Sequence, residues 1–277
     1  MQRQELRVQI INVERNGYIL HAEALAPASN ASPWLVFGNS LITDLSIWDA
    51  QVNALAGQYG ILRYDQAGHG QSGNPKGPID FEVLGQDLLA VMDSAAIRQG
   101  IYVGLSMGVP TGLAAHSMAA DRFLSLIFSD GQAKTAPGGA AGWAERIALA
   151  RASGMRAFAE ITADRWLTST SGADKRARLT EMMSATAIDG FATCAAALQD
   201  YDYTQELERI ACRTLLIAGA EDGAIPEGMA NNLHPSIKGS AMHIIDGAGH
   251  VPCLEQPEAF NAIMRQFLEG FGEGDPA

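Results

Sequence analysis

The sequence predicts an α/β fold: a mostly parallel central sheet flanked by helices, with an inserted helical lid. Three observations carry that prediction. Short, continuous apolar runs alternate with helical patterns, and such runs suit strands buried on both faces of a parallel sheet. The runs give way to glycine or aspartate, as strand ends that open onto a crevice do. One long stretch in the second half has helical periodicity and no convincing strand.

The elements follow in chain order. Leu6, Val8 and Ile10 mark one face of a first strand, and Asn16-Gly17 turns the chain into Tyr18-Ile19-Leu20, a hairpin. Trp34 to Phe37 then leads to Gly38, Gly60 to Tyr64 to Asp65, and Ile101 to Val103 to Gly104. Later runs are Leu124 to Phe128 before Asp130, Thr214 to Ala218 before Gly219, and Met242 to Ile245 before Asp246. Between them, Phe81 to Ala96 carries Leu84, Leu88, Leu89 and Met92 at helical spacing, and Pro110 to Ala120 reads as a short helix of small residues. Pro257 to Phe267 opens with proline and glutamate, which suits a first helical turn.

From about Gly131 to Tyr203 the pattern changes. A loop-like AKTAPGGAAG precedes helices predicted over Trp143 to Ala152, Met155 to Leu167, Ala173 to Ala185 and Ile188 to Leu198. The expected organisation is therefore a core of residues 1–130 and 204–277, with residues 131–203 as a lid over the carboxyl ends of the strands.

With 277 residues and 47% hydrophobic content, the chain has ample material for a large core. Its formal net charge of -12 argues against a nucleic-acid partner, which calls for clustered Lys and Arg. An anionic substrate would need a local cation to offset that acidic field. The cysteines, Cys194, Cys212 and Cys253, are odd in number and form no CxxC pair, so a reducing compartment is the simpler expectation. No signal-like apolar run opens the sequence, and no stretch approaches the roughly 18 apolar residues of a membrane helix. A cytoplasmic protein without a membrane partner is expected; a homo-oligomer stays open.

The sharpest motif is Gly104-Leu105-Ser106-Met107-Gly108, a G-x-S-x-G between a strand and a helix. On such a turn Ser106 is the candidate nucleophile. The helix start behind it favours developing negative charge, with the Met107 N–H as one oxyanion donor. Serine needs a base. Of six histidines, His250, in the Asp246 to His250 loop after the last strand, is the leading candidate. His69, in a glycine-rich turn, is its rival, while His116 and His243 read as structural. Asp222 follows the penultimate strand and gives the order Ser, Asp, His; Asp130 is the alternative acid. The second oxyanion donor is expected from Gly38-Asn39-Ser40-Leu41, best at the Ser40 N–H, with Leu41 as the other choice. The Asn39 side chain either braces that turn or touches substrate. Scattered histidines and the absence of phosphate-loop or dinucleotide motifs predict neither a metal nor an organic cofactor.

These residues resemble those of the 3-oxoadipate enol-lactonases, a family of α/β-hydrolase fold, over about Trp34 to Phe267. The likeness rests on Phe37 to Asp44 with Trp48, on Leu62 to Asp65 with Gly68-His69-Gly70 and Ser72, on the Ser106 motif, and on Glu255 to Phe260. In the lid it includes Ala133-Lys134, Trp143 to Arg146 and Arg165-Trp166. The chain departs from the family pattern at Val109-Pro110, Gln66-Ala67 and Ala220-Glu221. The resemblance implies cofactor-independent hydrolysis of a small lactone carrying a carboxylate, with that substrate as partner. It assigns substrate binding to Trp143 and Arg146, and a guanidinium suits a carboxylate bidentately. Trp166 is placed in the substrate pocket alongside them, although both tryptophans also suit a lid core. A carboxylesterase or carbon–carbon bond hydrolase with the same triad is the alternative activity. A non-enzymatic binding protein fits poorly with three candidate catalytic residues in these contexts.

Overall fold

A computed structural model describes residues 7–15, 17–269 and 271. Eight strands form one sheet in the order β1-β2-β4-β3-β5-β6-β7-β8. They are β1 (Val8–Arg15), β2 (Tyr18–Leu25), β3 (Trp34–Gly38), β4 (Gly60–Tyr64), β5 (Gly100–Leu105), β6 (Phe123–Ser129), β7 (Arg213–Gly219) and β8 (Ala241–Ile245). β2 runs antiparallel to both β1 and β4, and every other neighbouring pair is parallel. β5 is buried at every position and β6 at all but one, which explains their unbroken apolar sequences. Helices α1 (Asp49–Leu55), α2 (Phe81–Ser94) and α3 (Gly108–Met118), with a C-terminal helix Pro257–Leu268, cover the sheet. α2 packs on α3, and α1 on the C-terminal helix. The Asp80 carboxylate caps α2 by accepting the Val83 N–H at 2.9 Å.

The hairpin forms, but its faces are reversed from the reading of the sequence. Val8 and Ile10 are 44% and 53% exposed, whereas Ile11 and Val13 are 8% and 7% exposed. Two adjacent isoleucines allow either alternation, and a one-residue choice exchanges the faces. Leu6 lies outside the described residues. The buried Asp87 carboxylate of α2 ties the hairpin down, accepting from Arg15 Nε and from the Tyr18 hydroxyl, both at 2.6 Å.

Strand order fixes where chemistry can occur. From β3 the chain moves outward to β4, then returns to the other side of β3 as β5, so the ends of β3 and β5 meet at a switch point. Gly38 and Gly104 are register partners there. Between β6 and β7 lie the helices of the lid: α4 (Gly139–Trp166), α5 (Ala173–Ser184) and α6 (Ile188–Ala197). α4 is two helical segments joined at Gly154, whose φ of 80° and ψ of 160° interrupt the helix. No helix among the described residues is long and apolar enough to cross a membrane.

Candidate active site

Ser106 sits on the tight turn between β5 and α3 with a φ of 54°, a left-handed conformation rare outside glycine. The turn survives because its neighbours leave no alternative. A Cβ at Gly104 would stand 2.6 Å from the Gly108 carbonyl oxygen, and one at Gly108 would stand 2.7 Å from that of Gly38. The Ser106 N–H donates to Ser129 O at 2.8 Å, and the buried Tyr102 hydroxyl donates to Gly108 O at 2.8 Å. Val109 and Pro110 are buried in the first turn of α3, where proline costs no helical bond, and neither lines the cavity.

His250 enters from the loop after β8. Its Nε2 is 2.8 Å from Ser106 Oγ, and its Nδ1 is 2.7 Å from Asp222 Oδ2, beyond the end of β7. The three groups thus form one hydrogen-bonded line from hydroxyl to carboxylate. With Nδ1–H donating to Asp222, Nε2 is free to accept the serine proton, the geometry a general base needs. Glu221 is exposed at the cavity rim.

Asp130 lies against the Asp222 end of this line. Its carboxylate accepts the Ser129 hydroxyl at 2.6 Å and the Gly219 N–H at 2.8 Å. Burial, and then the Asp222 charge, push its carboxyl well above the ordinary carboxylate range. His69 is buried, with Nδ1 2.9 Å from Ala67 O and Nε2 unpartnered; burial lowers it to about 4. It makes no hydrogen bond to Ser106. His116 Nδ1 meets Glu206 Oε1 at 2.6 Å in the interior, and His243 is exposed on β8.

The loop after β3 corrects one expectation. Asn39 is fully buried: its Nδ2 donates to Tyr64 O at 2.8 Å and its Oδ1 accepts from Trp48 Nε1 at 3.1 Å. With both ends of its amide engaged in the core, it braces the turn and does not reach the substrate cavity. Gln66 extends the brace, donating to Asn39 O at 2.5 Å and accepting from Thr111 Oγ1 at 3.1 Å. Neither the Met107 nor the Ser40 N–H has an acceptor among the described residues. Leu41 and Met107 line the cavity; Ser40 is fully buried and its hydroxyl has no partner.

The lid reaches His250 itself. Trp166, at the end of α4, packs its ring on the His250 imidazole with centroids 4.5 Å apart, and its carbonyl accepts the His250 N–H at 2.8 Å. A buried carboxylate locks this seam: Glu255 accepts the Gly249 N–H at 2.6 Å, the Thr168 N–H at 2.8 Å and the Ser171 hydroxyl. Sequence reasoning missed Glu255. Its only signal was an acid placed just before a proline-led helix, which reads as helix-start chemistry. Trp143 lines the cavity with the Arg146 guanidinium 4.5 Å from its ring centroid. Arg165 also lines the cavity, whose volume is about 590 Å³, ample for a small acyl substrate. Among the described residues no three His, Cys, Asp or Glu side chains gather as metal ligands.

A family model described as alpha/beta hydrolase fold matches residues 33–257. The chain belongs to the alpha/beta hydrolase fold family. This α/β-hydrolase is 35% identical over 244 residues to 3-oxoadipate enol-lactonase 2 of Acinetobacter baylyi, covering 85% of this chain and 90% of that protein. It is 31% identical to 3-oxoadipate enol-lactonase 1 of the same organism, covering 94% and 97%. The crystal structure of the enol-lactonase from Burkholderia xenovorans LB400 matches with a TM-score of 0.84 and 33% identity, over 93% of this chain and 99% of that one. Fold and relatives together make this α/β-hydrolase a serine hydrolase of small lactones or esters.

Proposed function

We propose that the protein opens the ring of 3-oxoadipate enol-lactone to give 3-oxoadipate, through an acyl-enzyme on Ser106. One observation carries the reading: the hydrogen-bonded Ser106, His250 and Asp222 line opens into a cavity that also holds Arg146 without a carboxylate partner. The relatives named enol-lactonase support it.

In this mechanism Ser106 Oγ attacks the lactone carbonyl while His250 Nε2 takes its proton. The Met107 and Ser40 N–H groups receive the developing oxyanion, a role in which one donor contributes about 3–4 kcal/mol. The ring C–O bond breaks, the enol oxygen takes the proton from His250, and the enol tautomerises to the ketone. Water then gives a proton to His250 as it attacks the acyl carbonyl. Ser106 leaves with that proton and the acid is freed. Asp222 holds the imidazole tautomer throughout. Arg146 takes the substrate carboxylate, with Trp143 and Trp166 forming apolar walls.

The test is steady-state hydrolysis of freshly generated enol-lactone beside a neutral p-nitrophenyl ester. Ser106→Ala should lower both rates by at least about 10⁴-fold. Arg146→Ala should raise KM for the lactone by about 10-fold or more relative to its effect on the ester, the size of one charge-assisted contact. Brisk ester turnover with negligible lactone turnover would replace the lactonase reading with a carboxylesterase.

A further inference from the structure

Arg165 takes no part in the steps above, yet it lines the same cavity as Ser106 and Arg146. The chain has 31 acidic against 19 basic residues, and still neither guanidinium has an ion-pair or hydrogen-bond partner among the described residues. Asp164, next to Arg165 in sequence, pairs instead with Arg176. Desolvation lowers the pKa of Arg165, and the neighbouring charge of Arg146 lowers it further. Two like charges face one cavity, neither in an ion pair among the described residues.

Their convergence is a built feature. Both residues belong to α4, 19 positions apart, so a straight helix would separate them by about 28 Å along its axis. A cavity of about 590 Å³ is only roughly 10 Å across if spherical, within the usual range for small-molecule sites. The break at Gly154 lets both halves of α4 line it. Its φ of 80° and ψ of 160° belong to a region open essentially to glycine alone, and nothing lies within 4 Å of a Cβ built there. Arg165 occupies the histidine side: Trp166 beside it packs on His250, and the Asp222 charge acts on it.

We propose that Arg165 and Arg146 form a two-guanidinium subsite for molecules with two anionic groups, one of them at the reacting carbonyl. The assignment rests on reading this cavity as the acyl site for a carboxylate-bearing lactone. Hydrolysis of such a ring adds a carboxylate beside Ser106 to the one already on the chain. Arg146 then holds the original carboxylate and Arg165 the newly released one. A dicarboxylate without a scissile bond should occupy the same subsite.

Competitive inhibition of neutral p-nitrophenyl ester hydrolysis tests this, with adipate and hexanoate as probes matched in length and differing by one carboxylate. In the wild type, adipate should inhibit at least tenfold more tightly than hexanoate, and the preference should shrink as salt rises. In Arg165→Ala and in Arg146→Ala the preference should fall below threefold, each judged against that variant's own uninhibited rate. Arg165→Lys should restore part of it. A wild type with no preference for adipate, or an R165A variant that keeps the full preference, overturns the proposal. Lactone turnover measured in parallel separates the two readings. Adipate selectivity lost in both variants with no lactone turnover sustains the subsite and removes the enol-lactone; lactone turnover with unchanged selectivity in R165A does the reverse.

Discussion

The turn that carries Ser106 and the lid that carries Arg146 and Arg165 face the same cavity but are built on different principles. The turn is held by backbone against backbone: Gly104 against Gly108, Gly108 against Gly38, Ser106 N–H against Ser129 O. No Cβ can be added at Gly38, Gly104 or Gly108 without a neighbour shifting. The lid presents Trp143, Arg146 and Arg165 on long side chains, and space remains around Gly142, Gly154 and Gly172, although Gly190 of α6 is pressed against Gly68. On the proposed reading, chemistry is fixed by the main chain of the turn and selectivity by side chains of the lid. The seam at Trp166, Thr168 and Glu255 is where the two meet.

The contrast is broken most directly by placing one methyl group on each side. Gly104→Ala drives a Cβ to 2.6 Å from the Gly108 carbonyl and 2.8 Å from the Tyr102 ring. It should cost about 3 kcal/mol or more in urea unfolding, in the range of strained overpacking. Gly142→Ala, in the first half of α4 with nothing within 4 Å, should instead gain about 0.5 kcal/mol from helix propensity. Equal losses in both would abolish the distinction.

A second probe uses pH. Gly68 abuts Gly190 of α6, so the turn bearing His69 lies under the lid. A free histidine titrates near 6.5, and burial holds His69 at about 4, so the unfolded chain takes up a proton that the folded one refuses. This contribution is complete above pH 6.5 and is lost as pH falls toward 4. Buried Asp65 works oppositely. Raised to about 6, it stabilises the fold as pH falls through the window between its folded value and the ordinary carboxylate value. The two terms largely offset. His69→Gln should unmask Asp65, so that between pH 7 and 4.5 the variant gains about 2.5 kcal/mol relative to wild type. Parallel stability curves would remove His69 from the account.

The seam gives a third and smaller effect. Glu255→Gln keeps the shape but turns one of two acceptor oxygens into an amide donor facing the donors around it, and should cost about 2 kcal/mol of stability. Because Gly249 precedes the base, kcat for the neutral ester should fall more than KM changes. A variant with lowered stability but unaltered kcat would make Glu255 a structural residue only.

The core was legible because its strands are buried on both faces, which leaves an unbroken apolar signature, and because a serine elbow demands glycine at two fixed positions. Ser106, Asp222 and His250 could be read from their places after strands. The face of β1 was not legible, since Ile10 and Ile11 fit either alternation. The short α1 and the helical turn Leu45–Trp48 before it carry too few periodic positions to announce themselves. Asn39 stayed open between bracing and substrate contact for a physical reason: Trp48 and the Tyr64 carbonyl, its partners, come together only in the fold. Glu255 is hidden in the same way, since its ligands Thr168 and Ser171 lie more than 80 positions away. The break at Gly154 was visible as two helical patterns, but not that it turns both arginines toward one cavity.

The hydrogen bond from the His250 N–H to the Trp166 carbonyl bears on how such proteins exchange parts. A chimera that imports Gly139 to Ser153 from a relative would bring a new selectivity on an old engine. A crossover placed between Trp166 and Ser171 would instead transplant the bearings on which the base is mounted. Recombination among lids is therefore less constrained on the Gly139 side of Gly154 than on the Trp166 side, although Ala150 is buried there.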